Sequence, residues 1–133
     1  MGNDPIMSYE PTVLVADDAS MMGELLRTIL RGAGCRVVAS VTNGEEAVRS
    51  FHRFRPDLVF LDIGMPGKDG MAVLQEILGN EPDAFVVMIS GDGRLTQVQR
   101  AQDLGARAFL VKPVNAAQVN AVVDAFRQTA HTA

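Results

Sequence analysis

Five short apolar runs, each followed by a segment with helical spacing, predict an α/β fold: a parallel sheet of five strands covered by five helices on both faces. Three observations carry that prediction. The runs are nearly continuous rather than alternating, as strands buried on both faces require. Glycine or proline punctuates each unit. The middle run, Leu58-Val59-Phe60-Leu61-Asp62, ends on a carboxylate, so Asp62 should emerge where a buried strand leaves the core.

Thr12 to Ala16 reads as the first strand. Ser20 or Asp18 is placed to cap the next helix, whose Met22, Leu25, Leu26, Ile29 and Leu30 make one apolar stripe, and Gly32 and Gly34 end it. Arg36 to Val41 is a second strand. Asn43 then caps a helix through Phe54, with Glu46 as the reciprocal capping partner, with Ala47, Val48 and Phe51 facing inward, and with Pro56 closing the unit. After the Leu58 to Asp62 strand comes a turn-rich loop, Gly64-Met65-Pro66-Gly67-Lys68-Asp69-Gly70. A helix from Met71 to Leu78 follows, stopped by Gly79 and Pro82.

Phe85 to Ile89 is a fourth strand ending at Ser90. Gly91-Asp92-Gly93 reads as a loose joint before a helix from Leu95 to Leu104, which Gly105 terminates. Ala108 to Val111 is the fifth strand and Lys112-Pro113 follows it. A last helix from Asn115 to Gln128 buries Val119, Val122, Val123 and Phe126, and the tail through His131 is expected to fray. Right-handed crossovers place the helices on both faces of the sheet. In the flavodoxin-like doubly wound order 2-1-3-4-5 the first and third strands are neighbours, and ligands bind in the crevice at their carboxyl ends.

Length and composition bound the rest. A chain of 133 residues, 47% of them hydrophobic, suits one domain with a single core. That domain is expected over residues 11–130, with residues 1–10 a flexible leader and 131–133 a tail. Cys35, the only cysteine, cannot form an internal bridge and reads as a small, partly buried residue. No run reaches the ~18 apolar residues that span a membrane, and the start lacks the pattern of a signal peptide, so a cytoplasmic location is expected. A net charge of -4 argues against direct nucleic-acid binding. Lys112 is one of only two lysines and stands at a strand end.

Asp17 and Asp18 follow the first strand, Asp62 ends the third, and Ser90 and Lys112 end the fourth and fifth. Taken alone, Asp17 and Asp18 read as helix-capping residues, Ser90 as a loop serine and Phe109 as a core aromatic. Together they share one edge. Three carboxylates there bring a charge of about -3, which a divalent cation relieves most directly, and an oxygen-only set favours magnesium. Such a cation with Lys112 brings the cluster near neutrality, so an arriving phosphoryl group meets no net repulsion and Asp62 is free to act as nucleophile. His52, beside Arg53 and Arg55, has no partner that suggests a relay or metal role.

This set resembles the response regulator receiver domain, as in the single-domain chemotaxis regulators. The match covers Thr12 to Gln128: the pair Asp17-Asp18, the run Asp62-x-x-Met65-Pro66-x-x-Asp69-Gly70, Ser90 with small Gly91, Phe109, and Lys112-Pro113. The resemblance implies that Asp62 accepts phosphate from a sensor histidine kinase or a histidine phosphotransfer protein. It implies that Asp18, Asp62 and the backbone carbonyl of Gly64 bind magnesium, or manganese in its place, with Asp17 acting through water. Lys112 would pair with the phosphoryl oxygens. Ser90, followed by Gly91, would move to hydrogen-bond one of them, and Phe109 would turn inward, altering the face of the fourth helix, fifth strand and fifth helix. The Lys112-Pro113 bond is expected to be cis, and output is expected through a downstream protein or an effector domain removed from the chain. Such a domain is no enzyme beyond its own phosphotransfer and autodephosphorylation.

The sequence departs from the common pattern at Gly64, which offers no side chain to guide a hydrolytic water, at acidic Asp92, and at Phe109, which lacks the usual tyrosine hydroxyl. Other functions fit less well. An aspartate-nucleophile phosphatase needs a second aspartate where Gly64 stands. A flavodoxin-type cofactor binder would set Asp17 and Asp18 against a phosphate. A pseudo-receiver, binding partners without phosphorylation, is the remaining alternative.

Overall fold

The computed structural model describes residues 9–132. Five parallel strands, β1 (Thr12–Ala16), β2 (Arg36–Val41), β3 (Leu58–Asp62), β4 (Phe85–Ser90) and β5 (Ala108–Val111), form one sheet in the order β2-β1-β3-β4-β5. Five helices alternate with them: α1 (Ser20–Gly32), α2 (Gly44–Phe54), α3 (Gly70–Asn80), α4 (Leu95–Leu104) and α5 (Ala116–Thr132). The predicted doubly wound architecture and strand order are those observed.

The continuous apolar runs have a direct cause. Successive side chains of a strand point to opposite faces, and both faces here are covered. Val13, Val15, Leu58, Phe60, Val87 and Ile89 enter one core with Leu26 and Leu30 of α1 and Val119 and Val123 of α5. Leu14, Ala16, Val59, Leu61, Val86 and Met88 enter a second with Ala47 and Phe51 of α2 and Leu74 and Ile77 of α3. The central strands β3 and β4 are buried throughout, whereas the edge strands β2 and β5 are partly exposed. Truncating Phe60, fully enclosed, to alanine would cost about 3–5 kcal/mol. Cys35 is buried, and burial pushes its thiol pKa up.

Several local expectations are corrected. Neither Ser20 nor Asp18 caps α1: its N-cap is Ala19, with no side-chain cap hydrogen bond, and Asp17 Oδ1 accepts instead from the Ala19 N–H at 2.8 Å, fixing the turn that leads into the helix. Leu25, on the predicted stripe, is 42% exposed. Asn43 Oδ1 accepts from the Glu46 N–H at 2.9 Å, but the full reciprocal pair forms at α5 instead, between Asn115 and Gln118 at 2.9 and 3.0 Å. Helix α3 runs through Gly79 to Asn80. A single interior glycine costs only about 1 kcal/mol, less than the buried face of Met71, Val73, Leu74 and Ile77 returns. The Gly91-Asp92-Gly93 joint is not loose at its end, since a Cβ at Gly93 would lie 2.8 Å from Val111 Cγ2.

The last helix continues to Thr132 rather than ending at Gln128. At the other end, Tyr9 belongs to the fold and not to a leader. Its ring stacks on Phe126 at 6.5 Å between centroids, and its carbonyl oxygen accepts from Arg127 NH1 at 2.7 Å. Residues 1–8 of the leader expected over residues 1–10, and the last residue of the expected tail, lie outside the described residues.

Candidate functional site

The carboxyl ends of the strands meet as the sequence predicts. Asp17 leaves β1 with its N–H on the Val41 carbonyl at 3.0 Å, and Ile63, just past β3, donates to the Ile89 carbonyl at 2.9 Å. Lys112, just past β5, donates its backbone N–H to the Ser90 carbonyl at 2.8 Å. These ladder bonds carry the sheet's register to the edge and fix where the side chains emerge. The Lys112–Pro113 bond is cis.

Asp17, Asp18 and Asp62 each bring a carboxylate oxygen within 4.8 Å of the others. Asp17 and Asp62 are almost fully buried, while Asp18 is exposed at the rim. Lys112 Nζ stands 3.2 Å from Asp17 Oδ2 and 3.2 Å from Asp62 Oδ2, and only the second contact has hydrogen-bond geometry. Burial opposes the charge on Lys112, but the two carboxylates outweigh it and hold its pKa above the ordinary value. Asp62 Oδ1 accepts from the Gly64 N–H at 3.1 Å, which tethers the start of the loop to the carboxylate.

Asp17 Oδ2 is buried and receives no hydrogen bond, so an acceptor of full negative charge points into the cluster incompletely satisfied. A single ammonium leaves three carboxylates with a net charge of about -2. Oxygen donors only, an orphaned buried acceptor and uncompensated charge are the conditions that suit a hard divalent cation. The residues present therefore fit magnesium.

The supporting loop is closely built. Gly70 donates its N–H to the Ile63 carbonyl at 3.0 Å, and a Cβ on it would lie 2.5 Å from the Asp62 carbonyl oxygen. Gly44, at the start of α2, abuts Lys68 of the same loop, where a Cβ would lie 2.2 Å from the Lys68 carbonyl oxygen. Lys68 is also ion-paired with Glu76 of α3. At Gly64 a Cβ would stand 3.8 Å from Asp62 Oδ1, an ordinary contact, so glycine there leaves open space beside the carboxylate.

Ser90 is buried and its Oγ accepts from the Asp92 N–H at 2.9 Å. Gly91 is exposed, with open space where a Cβ would lie. Phe109 does not reach the cluster. It is half-buried beside the second core and lines a cavity of about 180 Å³ with Val98, Ala101 and Ala106. The paired Asp92 and Arg94 were not anticipated, although an acid and a base two residues apart in a short loop is the signal that announces such a pair.

With the geometry in place, comparison with known proteins settles the class. The profile of the response regulator receiver domain matches residues 13–124, and the chain belongs to that family. It is a CheY-like receiver domain of two-component signalling. It is 39% identical to the chemotaxis protein CheY of Listeria monocytogenes over 107 residues, 80% of this chain and 90% of the relative. It is 38% identical to the chemotaxis protein CheY of Bacillus subtilis over 117 residues, 88% of this chain and 95% of that one. A chain in the crystal structure of the CheX-CheY-BeF3-Mg+2 complex from Borrelia burgdorferi superposes with a TM-score of 0.87 at 31% identity, covering 92% of each. Among the described residues no helix is long and apolar enough to cross a membrane.

Proposed function

We propose that Asp62 is the phosphoacceptor of this receiver domain and that its modification, by a sensor histidine kinase or a histidine phosphotransfer protein, switches the surface formed by α4, β5 and α5. The observation that carries the reading is the buried Asp62 carboxylate, joined to Lys112 Nζ at 3.2 Å with Asp17 and Asp18 alongside. A carboxylate oxygen of Asp62 forms a bond to phosphorus as the P–N bond of a phosphohistidine breaks. The electron pair leaves on the imidazole nitrogen, which takes up a proton.

Asp17, Asp18, Asp62 and the Gly64 carbonyl would hold magnesium, or manganese in its place, whose charge offsets that of the phosphoryl oxygens. Lys112 Nζ, already within reach of Asp62, pairs with one phosphoryl oxygen. Ser90 donates its hydroxyl proton to another, small Gly91 leaves room for that movement, and cis Pro113 shapes the backbone behind Lys112. Phe109 turns inward into the space that Ser90 vacates, and the exposed Leu95 and Val111 supply apolar area for a partner. Such a domain works in the cytoplasm, passes its signal to a downstream protein target or an effector domain, and catalyses only its own phosphotransfer and autodephosphorylation. That a similar structure was solved with BeF3 and Mg+2 supports the reading.

The test is intact mass after incubation with acetyl phosphate, with and without magnesium, on wild type and Asp62→Asn. One added phosphoryl group on wild type alone, and only with magnesium, is the expected result. Equal labelling of Asp62→Asn, or none of either protein, would sink it.

A further inference from the structure

The loop leaving β4 carries an ion pair for which the reading above has no use. Asp92 Oδ2 accepts from Arg94 NH2 at 2.7 Å and from Nε at 2.9 Å. Asp92 Oδ1 accepts from the Arg94 backbone N–H and from Nε, both at 3.0 Å. The same Asp92 holds Ser90 Oγ through its backbone N–H at 2.9 Å. One guanidinium therefore grips both oxygens of a carboxylate whose own backbone fixes Ser90, a geometry lysine could not reproduce. The Asp92 pKa is held down, first by that side-chain bond, so the carboxylate stays charged and depends on Arg94 for its compensation.

Two consequences follow for chemistry at Asp62. Asp92, two residues past the buried Ser90 that ends β4, adds a fourth carboxylate to the sheet edge that carries Asp17, Asp18 and Asp62, and so adds negative charge on the side an anionic phosphodonor approaches. An acceptor bond from Asp92 N–H to Ser90 Oγ also leaves the hydroxyl proton free to donate. We propose that Arg94 is a positioning residue for phosphoryl transfer to Asp62, acting through Asp92: it cancels the charge of the carboxylate whose backbone N–H holds Ser90 with its hydroxyl proton free to donate. This rests on the reading of Asp62 as phosphoacceptor.

The experiment measures initial rates of phosphorylation by acetyl phosphate in magnesium, by intact mass, for wild type, Arg94→Ala, Arg94→Gln and the double variant Arg94→Ala with Asp92→Asn, at low and high salt. The Arg94 side chain is 79% exposed, so its removal leaves the core untouched. Both single variants should lose about threefold in rate at low ionic strength, through a raised KM for the anionic donor, and recover most of it near ~1 M salt. Asparagine keeps the Oδ1 acceptor without the charge, so the double variant should regain the wild-type rate. Single variants that match a phosphorylated wild type overturn this inference alone. A double variant as slow as Arg94→Ala overturns it too, because Arg94 would then act on the donor and not through Asp92. A wild type that gains no phosphoryl group overturns the inference together with the phosphoacceptor reading.

Discussion

Gly70 packs beneath Asp62 so closely that a Cβ at position 70 would lie 2.5 Å from the Asp62 carbonyl oxygen and 2.5 Å from Ile63 Cα. Position 70 also closes the neck of the loop that carries Gly64, through its N–H on the Ile63 carbonyl. Gly70→Ala must therefore push the backbone under Asp62. It should destabilise the fold by about 1–3 kcal/mol, measured by urea denaturation, and weaken magnesium binding measured separately by titration. A variant as stable as wild type would show that the loop can move aside without cost.

Among the described residues Lys112 is the only ammonium against Asp17 and Asp62. Lys112→Ala strands two buried carboxylates and should cost about 2–4 kcal/mol in metal-free buffer, with part regained when magnesium is added. The pH dependence has a definite sign. The pKa of Lys112 is raised in the fold, so its contribution is fully present below the ordinary value of 10.5 and is lost as pH rises through the higher folded value. Denaturant midpoints followed into the alkaline range should fall more steeply for wild type than for Lys112→Ala.

Divalent cation should stabilise the protein. At a magnesium concentration tenfold above Kd the gain is about 1.4 kcal/mol, visible as a raised Tm. Asp18→Asn removes the exposed member of the set, which packs against little, so it should abolish the magnesium-dependent rise while leaving the metal-free Tm unchanged or slightly higher. An undiminished rise in that variant would place the cation elsewhere.

Tyr9 is the only tyrosine, which makes its titration easy to follow. Burial of part of the ring, then a hydrogen bond with Asp57 and that carboxylate's charge, push its pKa up to about 12, while Arg127 pulls the other way. The neutral phenol is therefore favoured in the fold. Its stabilising effect is complete below the ordinary value of 10.0 and disappears as pH rises through about 12. Phenolate absorbance should show the late titration, and Arg127→Ala, which also frees the Tyr9 carbonyl, should lower stability by about 1–2 kcal/mol.

The fold was legible because burial on both faces writes itself into β3 and β4 as unbroken apolar runs, and the site was legible because the polar residues ending those runs share one edge. Asp17, Asp62, Ser90 and Lys112 could all be placed by that rule alone. What stayed hidden depends on partners distant in sequence or on backbone direction. Nothing near Tyr9 announces Phe126 or Arg127, which lie more than a hundred residues away in the sequence. That α1 starts behind Ala19 with no side-chain cap, although serine and aspartate lie on either side of it, turns on the local backbone path of three residues. Gly93 resembles a flexible joint in sequence, and only the position of Val111 shows that it is a close contact.

The bond from Arg127 to the Tyr9 carbonyl brings the first described residue beside the last helix, at the end of the sheet opposite the carboxylates. The stretch from Tyr9 to Arg127 thus comes close to tracing a closed circuit. Joining residues near 9 and 129 by a short linker, and opening the chain in the exposed turn around Glu81–Asp83, should give a permuted protein with the same five strand ends and the same crevice. The order in which the helices and strands are synthesised is then incidental to the chemistry, and the edge bearing Asp62 can be carried into reordered or inserted chains as a unit.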